Sequence, residues 1–131
     1  MAGHKRVLIV DEDEGERMFL QAIMEGEGWE TLEAANGQAA VDLAESESPD
    51  LIILDLLLPV LNGLEVFKQI RSGPFTNQIP IIILSAINTG KARQHTAADF
   101  EKAYRLPPPE AFIDKPVDAT FLMNCVLGVV G

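Results

Sequence analysis

The sequence predicts an α/β fold: a doubly wound parallel sheet with helices packed on both faces. Short runs rich in Val, Ile and Leu alternate with segments whose apolar residues repeat at helical spacing. The chain has 131 residues, about the size of one ordinary domain, and 47% of them are hydrophobic, which is enough for one core. Polar residues directly follow several strand-like runs, as expected where ligands gather at the carboxyl ends of parallel strands.

The first half of the chain predicts three strands and two helices. In RVLIV (6–10) four consecutive aliphatic residues follow Arg6, which predicts the first strand. A helix over roughly 14–26 follows, because apolar residues recur at helical spacing until glycines interrupt them. WETLEA (29–34) predicts a weaker second strand. An Asn-Gly turn and an alanine-rich helix lead to LIIL (51–54), the third strand.

The second half predicts two more strands. PVLNG (59–63) is a turn that leads into a third helix, and IPIIIL (79–84) is the fourth strand. A further helix is predicted to begin at Thr96 and to end before the prolines that start at residue 107. AFID (111–114) is a short fifth strand, and Asp118 is predicted to cap a last helix.

Charge and hydropathy exclude several classes of partner. Twenty acidic and ten basic residues give a net charge of -10, which opposes approach to nucleic acid phosphates and to anionic membranes. No apolar run approaches the roughly 18–20 residues of a membrane span, and the first residues turn acidic before a signal peptide could form. We therefore expect a cytoplasmic protein without direct nucleic acid or membrane binding.

Five polar residues are predicted to converge at one edge of the sheet. Asp11 and Glu12 follow strand one, Asp55 ends strand three, Ser85 follows strand four and Lys115 follows strand five. An ionised carboxylate amid aliphatic residues, as in LIILDLLLP, is costly to bury unless it is paired or bound to a metal. Clustered carboxylates repel one another and bind a hard divalent cation well. The pattern predicts an acidic cation site with one lysine.

Each of these residues also has an ordinary structural explanation. Ser85 could be a strand-end hydroxyl, and Lys115 could be a surface cation near a turn. Asp11 and Glu12 could be acids favoured by the helix dipole, which is how we interpret Asp13 and its neighbour Glu14. The functional interpretation depends on their convergence.

The motifs VLIVDEDE, LIILDLLLPVLNG, IPIIILSA and FIDKP, in this order and spacing, resemble the receiver domain of two-component response regulators. The resemblance covers nearly the whole chain. It implies one receiver domain over residues 1–131, with its core at about 5–128. It also implies a flavodoxin-like three-layer sandwich with sheet order 2-1-3-4-5, in which strands one and three are neighbours.

The resemblance further implies a role for each polar residue. Asp55 would be the phosphoacceptor for a phosphoryl group from the histidine of a sensor kinase or phosphotransfer protein. Mg²⁺ (or Mn²⁺) would be bound directly by Asp55, Glu12 and the backbone carbonyl of Leu57, and by Asp11 through a water. Lys115 and Ser85 would share the neutralisation of the phosphoryl oxygens. Such a domain assists its own phosphorylation and dephosphorylation and is not an enzyme in the usual sense.

By the same resemblance, Ser85 and Phe112 would form a switch. The Ser85 hydroxyl would move toward the phosphoryl group, and Phe112 would turn inward to change a surface that binds an effector protein. The ordinary alternative is a half-buried Phe112 with one rotamer. The effector is not readable from the sequence, and the expected state is a monomer or a phosphorylation-dependent dimer.

Three features depart from the family pattern, and one of them is LPPPEA (106–111), which stands where the family usually has small residues before strand five. The acidic pair is Asp-Glu where two aspartates are commonest, so the ligand Glu12 is one methylene longer. The 29 residues between Ser85 and Lys115 exceed the usual number by about two helical turns.

Other function classes fit less well. A dehalogenase-like phosphatase needs an acid two residues after its nucleophile, where this chain has Leu57. A flavin mononucleotide protein needs a phosphate loop where this chain has DEDEGE. The remaining alternative is a receiver-like docking module that is not regulated by phosphorylation.

Overall fold

A computed structural model describes residues 5–56, 58, 63–85 and 109–130. In these residues the first four strands alternate with three helices, and a fifth strand and a last helix follow; the helices are numbered here in the order in which they occur. The elements are β1 (Arg6–Val10), α1 (Glu14–Gly26), β2 (Glu30–Ala34), α2 (Gly37–Glu47), β3 (Leu51–Asp55), α3 (Gly63–Ser72), β4 (Ile81–Ser85), β5 (Ala111–Asp114) and α4 (Ala119–Val130). The helix predicted to begin at Thr96 and the predicted ligand Leu57 lie outside the described residues.

The five strands form one parallel sheet in the order β2-β1-β3-β4-β5, which confirms the predicted topology. Leu54 lies opposite Val10 on one side and Ile83 on the other, so β3 is in the middle of the sheet. The order reverses between β1 and β3, and these two strands are direct neighbours. Their carboxyl ends therefore meet at the switch point, where doubly wound sheets bind ligands.

The sheet is covered on both faces, which makes a three-layer sandwich. Helices α2 and α3 enclose one apolar core with alternate residues of the strands, and α1 and α4 enclose the other. All residues of β3 and β4 are buried. This explains why both strands are aliphatic runs without polar alternation. None of the described helices is long and apolar enough to cross a membrane.

Side-chain caps set the helix starts near the site. Asp118 accepts a hydrogen bond from the Phe121 N–H at 2.8 Å, which confirms the predicted cap of α4. Asp13, interpreted from the sequence as an acid favoured by the helix dipole, has a further role, because it caps α1 and accepts from the Glu16 N–H at 3.2 Å. These caps satisfy N–H groups that the first turn of a helix leaves unpaired.

Three strand boundaries differ from the prediction. Trp29 does not open β2, because its N–H donates to the Met24 carbonyl at the end of α1. Strand β4 begins at Ile81, since the Ile79 N–H is bonded to Thr76 in the preceding turn. At its carboxyl end β4 runs one residue further than predicted and includes Ser85, whereas β3 ends at Asp55 as predicted. Both site residues are therefore held by the sheet.

A buried arginine joins the amino ends of β4 and β5. The Arg71 side chain is 3% exposed and donates to the Ile79 carbonyl at 2.9 Å and to Glu110 Oε1 at 2.6 Å. The same Glu110 oxygen accepts from the Ile81 N–H at 2.7 Å. The Glu110 carboxylate thus connects α3 to the start of β4, at the amino ends of the strands and away from the predicted site.

Candidate functional site

Asp55 lies at the carboxyl end of the central strand β3 and is 5% exposed. The sheet holds it in place, because the next residue, Leu56, donates its N–H to the Leu84 carbonyl at 2.9 Å. Lys115 is positioned in the same way, since its N–H donates to the Ser85 carbonyl at 2.8 Å. The peptide bond from Lys115 to Pro116 is cis. The two backbone hydrogen bonds, from Leu56 to Leu84 and from Lys115 to Ser85, bring the ends of β3, β4 and β5 to one place.

The Lys115 ammonium is the centre of the site. Its Nζ lies 3.2 Å from Asp11 Oδ2, 3.6 Å from Asp55 Oδ2 and 3.6 Å from Glu16 Oε1. The Lys115 side chain is only 19% exposed. Three acids from β3, α1 and the end of β1 thus surround one cation, and the cluster keeps an excess of negative charge.

The environment of Lys115 keeps its amine protonated. Burial lowers the pKa of Lys115, but the charges of Asp55, Asp11 and Glu16 and a hydrogen bond to Asp11 outweigh this, so that the pKa is raised above its ordinary value of 10.5. The amine therefore carries its positive charge throughout the neutral pH range.

The loop after β1 is held at several points. Asp11 is 1% exposed, its N–H donates to the Ala34 carbonyl at 3.1 Å, and its Oδ1 accepts from the Asp13 N–H at 3.0 Å. Arg17 Nη1 donates to the carbonyls of Asp11 at 2.8 Å and Glu12 at 3.3 Å. Arg17 Nε in turn pairs with Glu33 of β2 at 2.8 Å. Arg17 therefore holds in place the backbone of Asp11 and Glu12.

Gly63 allows α3 to begin directly against the end of β3. Its N–H donates to the Leu56 carbonyl at 3.0 Å. A Cβ at this position would lie 2.5 Å from Leu56 Cα and 2.6 Å from the Asp55 carbonyl oxygen. Both are backbone atoms that cannot move aside without shifting the strand. This contact gives a physical reason for glycine at the end of the segment LIILDLLLPVLNG.

Ser85 and Phe112 lie on the same side of the sheet. Ser85 is fully buried, and strand alternation places it on the face of Ile83, which belongs to the core beneath α2 and α3. Phe112 is paired with Ile83 in the sheet, is partly buried and packs against that core. The two predicted switch residues therefore have neighbouring positions on one face.

The donors of the cluster suit a hard divalent cation. Asp11 and Asp55 are buried carboxylates that meet at one ammonium, while the Glu12 side chain is exposed. In the part of the chain that the structure describes, no three histidine, cysteine, aspartate or glutamate side chains form a ready-made metal group. Mg²⁺ takes few protein ligands and keeps several waters, so two fixed carboxylates and one adjustable glutamate fit it.

Comparison with known proteins identifies the fold and the family. The model of the response regulator receiver domain matches residues 7–126. The chain belongs to the receiver domain family of response regulators. It is 31% identical to the polar-differentiation response regulator DivK of Brucella anthropi over 127 residues, or 97% of both chains. It is 41% identical over 83 residues to the alkaline phosphatase synthesis regulatory protein PhoP of Bacillus subtilis, covering 63% of this chain and 34% of PhoP.

Solved receiver structures have the same architecture. The receiver domain of a sensor histidine kinase from Pseudomonas aeruginosa, solved with a magnesium ion coordinated in its active site cleft, superposes with a TM-score of 0.83 at 23% identity. The superposition covers 98% of this chain and 99% of that one. A chemotaxis response regulator of Vibrio cholerae gives a TM-score of 0.80 at 25% identity, over 96% of this chain and 98% of the other.

Receiver domains are signalling domains of two-component systems and act with histidine kinases and effectors. In this receiver domain the structure brings together Asp11, Asp55 and Lys115, as the sequence predicts. The contacts of Glu16 with Lys115 and of Arg17 with the acidic loop were not predicted from the sequence. Their positions on the first turns of α1 were the available signal, because that helix follows the acidic pair directly.

Proposed function

We propose that this receiver domain accepts a phosphoryl group on Asp55 from a phosphohistidine of a sensor kinase or phosphotransfer protein. The observation that carries the proposal is the Lys115 ammonium, which lies within 3.6 Å of Asp55 and 3.2 Å of Asp11 at the carboxyl edge of the sheet. A nucleophilic carboxylate with a cation beside it is the arrangement that phosphoryl transfer requires.

In the proposed transfer an Asp55 oxygen forms a bond to phosphorus as the bond from phosphorus to the histidine nitrogen breaks. The electron pair of that bond stays on the imidazole, and the product is an acyl phosphate on Asp55. Lys115 neutralises charge on the phosphoryl oxygens, and the Ser85 hydroxyl donates a hydrogen bond to one of them. Because these groups are also present when water attacks the acyl phosphate, the domain assists its own dephosphorylation.

The proposal includes Mg²⁺ or Mn²⁺. Asp55, Glu12 and the backbone carbonyl of Leu57 would hold it directly, and Asp11 would hold it through a water. When bound, the metal would neutralise charge on the transferring group. The buried carboxylates of Asp11 and Asp55 support this site, and so does the magnesium ion in the cleft of the Pseudomonas receiver domain. Asp11 and Arg17 keep the acidic loop in place, which leaves Glu12 free to adjust to the ion.

The proposed output is a change in a protein-binding surface. Ser85 and Phe112 are the switch, and their positions on one face of neighbouring strands support a direct coupling. The partners are a histidine kinase or phosphotransfer protein and an effector protein, and the domain acts in the cytoplasm as a monomer or a phosphorylation-dependent dimer. The 1–131 chain acts as one receiver domain.

The test is incubation with acetyl phosphate and Mg²⁺, followed by intact-mass measurement. Wild type is expected to gain one phosphoryl group and Asp55→Asn none, since the amide cannot form the acyl phosphate. Asp42→Asn makes the same change on the exposed surface of α2 and should behave as wild type. A phosphorylated Asp55→Asn protein would refute the assignment. A wild type that takes up no phosphoryl group would leave the docking module as the function.

A further inference from the structure

Glu16 is a third acidic partner of Lys115 and lies outside the motifs that identify the family. Its Oε1 is 3.6 Å from Lys115 Nζ, the same distance that separates Lys115 from Asp55. Among the described residues, the carboxylates paired with this ammonium come from Asp11, Asp55 and Glu16. Glu16 is the most exposed of the three, at 35%.

The position of Glu16 is well defined by its surroundings. Its N–H donates to the cap residue Asp13 at 3.2 Å, and the next residue, Arg17, is anchored to the acidic loop and to Glu33. Glu16 therefore approaches Lys115 from a fixed point on the first turn of α1, whereas Asp55 approaches from the end of β3. The long stem of a lysine allows its ammonium to shift between such partners.

We propose that Glu16 is a positioning residue, which draws the Lys115 ammonium away from Asp55 and so sets how strongly the site attracts a cation and an anionic phosphodonor. The part of the proposal that concerns the phosphodonor rests on the proposed function, whereas the part that concerns the cation does not. Glu16 itself needs no contact with the metal or with the phosphoryl group.

Loss of the Glu16 charge is expected to weaken the binding of Mg²⁺ and to strengthen the binding of an anionic phosphodonor. Without the Glu16 charge, Lys115 is shared only by Asp11 and Asp55 and competes better with Mg²⁺ for their oxygens. We expect the Kd for Mg²⁺ to rise about two- to five-fold, the range in which partly exposed ion pairs couple. The same shift gives an anionic donor a better-placed cation, so the KM for acetyl phosphate should fall by a similar factor of about two to five.

The matched control is Glu14→Gln. Glu14 is an exposed glutamate in the same first turn of α1, and its substitution changes the net charge by the same amount as Glu16→Gln. Titration calorimetry gives the Kd for Mg²⁺, and intact-mass time courses give KM for acetyl phosphate. We expect both constants to change more in Glu16→Gln than in Glu14→Gln. Equal changes in the two variants would overturn the proposal, because they would show a general effect of charge.

A double-mutant cycle tests whether Glu16 acts through Lys115. In a Lys115→Met background, Glu16→Gln should change the Kd for Mg²⁺ no more than Glu14→Gln does. An undiminished effect in that background would overturn the positioning role. If Lys115→Met does not fold by circular dichroism, Lys115→Gln replaces it in the cycle.

The two proposals fail in different ways. If wild type takes up no phosphoryl group, the proposed function is wrong, and the Mg²⁺ measurements still decide the role of Glu16. If wild type is phosphorylated and Glu16→Gln matches Glu14→Gln in both constants, only the role of Glu16 is wrong.

Discussion

The acidic cluster makes a quantitative prediction about stability. Replacing Asp55 with Asn removes one of three carboxylates around Lys115 and keeps the shape of the side chain almost unchanged. We expect Asp55→Asn to be more stable than wild type in EDTA by about 0.5–2 kcal/mol, as is common when a functional charge is removed.

The distances in the cluster set the size of the charge interactions that Asp55 makes with its neighbours. At an effective dielectric constant of about 20, the attraction between Lys115 Nζ and Asp55 Oδ2 at 3.6 Å is about 4–5 kcal/mol. The oxygens of Asp11 and Asp55 that contact Lys115 cannot be more than about 7 Å apart, which sets their repulsion at about 2 kcal/mol or more. Glu16 adds a similar repulsion that solvent reduces. Attraction and repulsion thus nearly cancel, and the desolvation of a carboxylate that is 5% exposed decides the sign.

Urea unfolding of both proteins in EDTA and in excess Mg²⁺ measures the effect. Mg²⁺ should narrow the difference, because the intact cluster binds the ion better and wild type gains more stability by mass action. If Asp55→Asn is less stable than wild type in EDTA, attraction to Lys115 or hydrogen bonds of the carboxylate outweigh its desolvation and its repulsion by Asp11 and Glu16, and the reasoning is refuted.

Four further measurements test the structure around the site. Gly63→Ala should lower the urea midpoint and the affinity for Mg²⁺, because the added Cβ would collide with the backbone at the end of β3. The control is Gly128→Ala in α4, where an added Cβ has no neighbour within 4 Å, and this variant should be neutral or slightly stabilising. Arg17→Lys should weaken Mg²⁺ binding roughly ten-fold in calorimetry, since lysine cannot bind the carbonyls of Asp11 and Glu12 and the Glu33 carboxylate at the same time. An unchanged affinity would show that Arg17 does not hold the acidic loop in place. The fluorescence of Trp29, at the opposite end of the sheet, should barely respond to Mg²⁺, and strong quenching would show that this placement is wrong. Glu110→Gln should destabilise the fold by about 1 kcal/mol in urea, because the ion pair between Glu110 and the buried Arg71 is lost, and an unchanged midpoint would count against that pair.

Sequence patterns predict those parts of the fold that depend on local chemistry. Each of the strands β1, β3 and β4 contains four consecutive aliphatic residues, because helices cover both faces of the sheet there, and such runs are visible in the sequence. The start of β2 was wrong by one residue, since it depends on a bond from Trp29 to the end of α1. No propensity of Trp29 itself indicates that contact.

The residues of the site were predicted from the sequence where their positions depend only on the order of the strands. Residues at strand ends are brought together by the topology alone, which explains why Asp11, Asp55 and Lys115 were found. Glu16 was missed because an acid in the first turn of a helix is already explained by the dipole, and its ion pair depends on the length and direction of a lysine side chain. The close approach behind Gly63 is likewise a distance between backbones that no sequence pattern contains.

The site combines fixed and adjustable parts. The sheet fixes the backbones of Asp55 and Ser85 at the ends of buried strands, and Arg17 fixes the carbonyls of the acidic loop. The adjustable parts are the exposed Glu12 side chain and the Lys115 ammonium, which has carboxylates on several sides. Binding of a cation or an anion can therefore be accommodated by moving charged side chains while the strands stay in place. If Asp55 is phosphorylated as proposed, we expect the charged side chains to respond first and the packing of Phe112 to change as a consequence.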